Sequence, residues 1–91
     1  MDESAFRTRL TALGATPLHP VEWVPGHATQ DHTHPFDAYG FVLRGEFTLT
    51  TSVGETFLPA GSHFYLKAGT VHHETAGPEG TQVLGARIEP V

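Results

Sequence analysis

The chain has no cysteine, which excludes a disulfide framework and thiolate chemistry. Basic residues are scarce: five Lys plus Arg stand against ten Asp plus Glu, for a formal net charge of −5. With no basic patch, neither nucleic acid nor an anionic membrane surface is expected as a partner. Long apolar runs are missing as well, and none approaches the roughly 20 residues of a membrane span. The opening Met1-Asp2-Glu3-Ser4 lacks the basic-then-apolar layout of a signal peptide, so the expected location is the cytoplasm. There is no phosphate-cradling glycine loop, nucleophile elbow or Ser-His-Asp arrangement.

What the chain does have is glycine, proline and histidine. Its 91 residues suffice for one domain, expected to span 1–91, with no room for a second. A domain this small buries roughly 60–65% of its unfolded surface, so help from a partner subunit or a metal is expected. Seven histidines outnumber Lys and Arg together, which points to metal only if they cluster in space.

Residues 2–13 read as a short amphipathic helix, within an N-terminal segment 1–14. Asp2 or Ser4 caps its first turn, Phe6, Leu10 and Leu13 fall at helical spacing, and Gly14 suits the stop. After Pro17 the pattern changes to period two. Strands are predicted over Leu18–Val24, Ala38–Arg44, Phe47–Thr51, Glu55–Leu58, His63–Lys67, Val71–Thr75 and Thr81–Glu89. The turns between the last six are Gly45-Glu46, Ser52-Val53-Gly54, Pro59-Ala60-Gly61, Ala68-Gly69-Thr70 and Gly77-Pro78-Glu79-Gly80. Many short strands near ten-residue spacing, with ten glycines and seven prolines as punctuation, read as an all-β sandwich or barrel over 18–89.

Between the first two strands, Asp31–Pro35 reads as extended and holds His32-Thr33-His34. In a strand, residues i and i+2 face the same way, about 6.8 Å apart. Two imidazoles on one face begin a metal site. The next candidate ligand is His72, 38 residues past His34 and just beyond a glycine turn.

These spacings resemble the cupin superfamily. Gly26, five residues, His32, one residue, His34 and then Gly45 resemble its first motif; Gly61, five residues, Lys67, one residue, Gly69, two residues and His72 resemble its second. The likeness covers roughly residues 18–89, and the chain looks like a small single-domain cupin. The resemblance implies a double-stranded β-helix, the cupin jelly-roll barrel, with a metal in its mouth held by His32, His34 and His72. It also implies a homodimer.

The chain departs from the family pattern at three positions. The usual glutamate ligand is replaced by Ala38, the second motif's proline by Lys67, and a polar asparagine by Ala76. Glu74, two residues past His72, shares its face and is the first candidate to replace the lost carboxylate, as ligand or as a group orienting an imidazole. Asp37 neighbours the missing position but points the other way on a regular strand. With no replacement, three neutral imidazoles leave coordination positions open, resembling the three-histidine iron sites of thiol dioxygenases. His73 faces away from His72 and reads as surface, and His19, His27 and His63 have no partner in the pattern.

Ala38, Gly40 and Val42 share one face and are small, leaving room for a ligand beside the metal. Tyr39, Phe41 and Leu43 share the other face and are large, so that face must be covered by the N-terminal helix or a second subunit, and the resemblance favours a dimer through this sheet. Phe36, Phe57, Phe64, Tyr65 and Trp23 read as core or pocket wall, and Arg44 and Arg87 are candidate anchors for a carboxylate. The expected cofactor is a divalent transition metal (Fe, Mn, Ni, Zn or Cu), and the expected partner is a small, anionic organic molecule. The implied activity is dioxygenase-like or isomerase-like; the alternatives are a non-catalytic sensor module or a structural metal-binding protein.

Overall fold

The first apolar run closes as the predicted helix. In the computed structural model, which describes residues 2–17 and 19–88, α1 spans Glu3–Leu13. The Asp2 carboxylate accepts the Ala5 N–H at 2.8 Å, and Gly14 ends the helix in the left-handed conformation at φ 68°. Phe6 and Leu10 are buried, but Leu13, expected on the same stripe, is 46% exposed. Ala15 takes its place against the core, because the chain turns inward after Gly14 and donates the Ala15 N–H back to the Leu10 carbonyl.

The rest is antiparallel sheet: β1 (Thr16–Pro17), β2 (Val21–Trp23), β3 (Asp37–Thr51), β4 (Gly54–Pro59), β5 (His63–Leu66) and β6 (His72–Ile88). The predicted first strand is thus split into β1 and β2; its start at Leu18 and the predicted end of the last strand at Glu89 lie outside the described residues. Strands β3 and β6 pair along almost their whole length. The first half of β3 also pairs with β5, its second half with β4, and β1 and β2 pair with the C-terminal half of β6. This is the expected all-β jelly roll with one short N-terminal helix. Among the described residues no helix is long and apolar enough to cross a membrane.

Two predicted turns lie inside continuous strands instead. Gly45-Glu46 does not reverse the chain, and 38–44 and 47–51 form one strand. On β3, Leu43 is an extra residue between the pairs Val42↔Val83 and Arg44↔Gln82. The extra residue switches the alternation, so even-numbered Val42 and odd-numbered Phe47 and Leu49 share one core. Further along, Glu46 alone faces residues 77–80, because Gly45 pairs with Thr81 and Phe47 with Ala76. The predicted Gly77–Gly80 turn is therefore an excursion within β6. Gly45 has φ 73°, and a Cβ there would overlap the Gly80 carbonyl. Gly45→Ala is expected to cost about 2–4 kcal/mol from backbone strain plus this clash. Gly61→Ala, at φ 89° with open space around its Cβ, carries the backbone cost alone, about 1–2 kcal/mol. Urea denaturation of the two variants separates the contributions.

The two faces of β3 build two cores. Val42, Phe47, Leu49, Leu58 and Leu66 fill the barrel, with Trp23, Ala38 and Phe64 against them. On the outside, Phe6 and Leu10 of α1 pack on Phe41, Leu84 and Ala86, flanked by Tyr39 and Leu43. The large apolar stripe is covered by the helix of the same chain, where the resemblance favours a second subunit, because Phe6 and Leu10 already fill the space over Phe41.

Candidate metal centre

The chain between β2 and β3 lies along the first half of β6, held by backbone hydrogen bonds. The Thr29 N–H donates to the Glu74 carbonyl (2.9 Å), and the Ala76 N–H to the His27 carbonyl (2.7 Å). His32 and His72 exchange both backbone bonds, at 2.9 and 3.0 Å, and the Gly69 N–H reaches the His34 carbonyl at 2.9 Å. The two motifs, far apart in sequence, thus form one antiparallel bridge, His32↔His72.

That bridge brings the rings together. Centroids are 4.3 Å apart for His32–His72, 5.0 Å for His34–His72 and 5.2 Å for His32–His34. The three side chains each offer a ligand atom, all within 4.8 Å of one another. His72 is buried, at 1% exposure, and the other two are half-buried.

The protonation pattern is set locally. Nδ1 of His32 lies 2.7 Å from the Gln30 carbonyl, and Nδ1 of His72 lies 2.9 Å from the Thr70 carbonyl. A carbonyl only accepts, so each Nδ1 carries the proton and donates, leaving the Nε2 lone pair free to ligate a metal. His34 stacks on Phe36 at 4.9 Å, and Arg87 lies over the other partner of that stack, 4.3 Å from the Phe36 centroid. Burial, followed by the neighbouring His72 and His32, lowers the His34 pKa below that of an ordinary imidazole, which favours its neutral, ligating form.

Glu74 faces the rings as expected. Its Oε1 lies 3.1 Å from His72 Nε2 and 3.7 Å from His32 Nε2. Thr29 holds it: the Thr29 hydroxyl is 3.2 Å from Glu74 Oε2 and accepts the Glu74 N–H at 2.9 Å. The period-two pattern does not reveal Thr29, since it lies in an irregular link and meets Glu74 only through the fold. The Gln30 and Thr70 carbonyls are equally invisible in sequence, because any residue supplies one.

The remaining candidates lie elsewhere. Asp37 points away from the rings, accepting from the Ala68 N–H (2.8 Å) and the Tyr65 hydroxyl (2.7 Å); these bonds lower its pKa, the backbone one more. His73 pairs with Asp31 at the surface, Nδ1 to Oδ1 2.7 Å. His19, His27 and His63 are exposed. Arg44 pairs with Glu22 and takes no part in the site. Phe57 and Tyr65, expected in the core or pocket wall, are 59% and 50% exposed.

A cavity of about 190 Å³ opens beside the rings. His34, His72 and Glu74 line one end, and Trp23, Phe36 and Phe64 line the wall. Ala38, where the family pattern has glutamate, also faces this space.

The donor set fits a cation. Two Nε2 lone pairs and a carboxylate converge on one spot, an arrangement that is repulsive unless protons or a metal ion lie between them. Residues 20–84 match the family described as Cupin domain. Among curated proteins no relative matches. Solved structures share the fold. A conserved protein of unknown function from Streptococcus pyogenes is 22% identical at TM-score 0.69, over 79% of this chain and 62% of that one. An RmlC-like cupin from Shewanella frigidimarina is 19% identical at TM-score 0.71, over 80% and 64%. A protein of unknown function from Rhizobium leguminosarum is 18% identical at TM-score 0.77, over 84% and 71%. The chain thus spans under two thirds of the length of the first two. With motif, barrel and histidine cluster in agreement, the chain belongs to the cupin domain family.

Proposed function

We propose that the chain binds one divalent transition metal through Nε2 of His32, His34 and His72, with Glu74 as a fourth ligand or a hydrogen-bond acceptor. Fe, Mn, Ni, Zn and Cu all suit imidazole. A small organic, anionic molecule then occupies the adjoining cavity, in a dioxygenase-like or isomerase-like role. The observation that carries this reading is the convergence of His32 Nε2, His72 Nε2 and the Glu74 carboxylate, with both Nδ1 atoms engaged by carbonyls. When bound, the metal supplies Lewis-acid or redox chemistry. The protein's own contribution is orientation and shielding. The Gln30 and Thr70 carbonyls fix two rings, Thr29 fixes the carboxylate, and Trp23, Phe36 and Phe64 give the adjoining space an apolar wall.

Glu74→Gln keeps the size and the Thr29 contact but removes the charge. It is expected to weaken metal affinity about 10-fold, within the range seen for groups that orient or assist ligands. Calorimetric titration of the metal-free protein with zinc measures the change, and an unchanged affinity removes Glu74 from the site.

The backbone bridge His32↔His72 favours a second reading, in which the metal staples the 27–34 segment to β6 without chemistry. Oxygen uptake by iron-loaded protein, across small thiols, diketones and flavonols, tests the enzyme. Turnover supports it. No turnover with any metal, together with tight binding of one metabolite, supports a sensor module. A large loss of thermal stability on metal removal, with no small molecule bound, supports the staple. We read the setting as cytoplasmic and the assembly as a homodimer, with exposed Phe57 and Tyr65 as apolar surface available to it. Sedimentation equilibrium tests the dimer.

A further inference from the structure

The cavity is chemically lopsided. Of the four ionisable groups that line it, His34, His72 and Glu74 cluster together, and Tyr39 is the fourth. Away from that cluster the wall is aromatic. Trp23 meets Phe47 edge-on at 6.0 Å, and Phe47 meets Phe64 at 5.2 Å. The Phe64 ring lies where a Cβ of residue 40 would be, so Gly40 lets it press against the backbone of β3. Ala38 removes a carboxylate from the same face, which both widens the space and makes it less polar. The Tyr39 hydroxyl, which could have served a polar ligand, instead accepts from Arg9 at 3.3 Å on the helix side. Arg44 is paired with Glu22, and Arg87 is exposed over the outer ring of the Phe36 stack.

Such a wall leaves the hydroxyls of a sugar acid or the ammonium of an amino acid without partners, and that costs affinity. The volume of the space is matched to a single ring. An apolar cavity of about 150 Å³ accommodates benzene, so about 190 Å³ holds one six-membered ring with a short head group. We propose that the site selects a monocyclic, apolar-bodied molecule whose single donor-bearing head reaches the histidine end. This rests on the metal reading for the head group but not for the body.

The test uses a hydroxamate series in which the head is constant and the body varies. Zinc-loaded protein is titrated with acetohydroxamate, glycine hydroxamate and benzohydroxamate. Binding is followed by calorimetry and by the emission of Trp23, the only tryptophan in the chain and part of the cavity wall. Benzohydroxamate is expected to bind about 30-fold tighter than acetohydroxamate, the gain from burying one ring, and glycine hydroxamate no tighter than acetohydroxamate. Equal affinities, or a preference for glycine hydroxamate, overturn the proposal while leaving the metal site intact. If zinc does not bind, the metal reading fails by itself, and the body is tested alone. Toluene should then still change Trp23 emission saturably in metal-free protein, and no response overturns the proposal.

Discussion

His72→Ala is expected to lower metal affinity by on the order of 100-fold or more, one ligand's share of the total binding free energy. His73→Ala, one residue away, is expected to change it by less than about 3-fold, as befits a surface group. The contrast follows from strand alternation. His72 points into the barrel at 1% exposure, while His73 points out and pairs with Asp31. His72 also forms the link between the two motifs, since its ring is within 5.0 Å of both other centroids. The backbone bridge to His32 does not depend on the side chain, so His72→Ala should keep the barrel's circular dichroism. Zinc titration calorimetry of the two variants measures the difference. Equal losses would show that the inward face is misassigned.

Phe6→Ala is expected to cost about 3–5 kcal/mol, the usual range for deleting a fully buried aromatic ring. Phe6 is 0% exposed, with Tyr39 and Phe41 at ring distances of 5.9 and 5.3 Å. Small domains have total stabilities of about 5–15 kcal/mol, so the variant should sit near its unfolding threshold at room temperature. Leu13→Ala, on the same helix but 46% exposed, is expected to change stability by less than about 0.5 kcal/mol. Urea midpoints of the pair test whether α1 is a structural part of the barrel wall. A small loss for Phe6→Ala would mean that something else covers Phe41 and Leu84.

The histidine site was legible in sequence because its information is local. Period two places His32 beside His34 and Glu74 beside His72, and the glycine turns place the two pairs in one motif pattern. The size contrast of Ala38, Gly40 and Val42 against Tyr39, Phe41 and Leu43 likewise separated inside from outside. The continuity of β3 and β6 was not legible, because a glycine at positive φ serves a turn and a bulge equally well. What decides at Gly45 is that the flanking segments pair with β4, β5 and β6 instead of each other, and that is a long-range fact. Thr29 was hidden for the same reason, since its partner is 45 residues away. The exposure of Phe57 and Tyr65 shows that residue type alone does not place an aromatic ring in a core.

Cobalt(II) titration of metal-free protein, followed by visible absorption, addresses the three-histidine centre most directly. The wild type should saturate at one ion per chain, with a ligand-field spectrum that is lost when His32, His34 and His72 are together replaced by alanine. A wild type with no saturable spectrum, or a triple variant that binds cobalt as the wild type does, would contradict a metal centre at these residues.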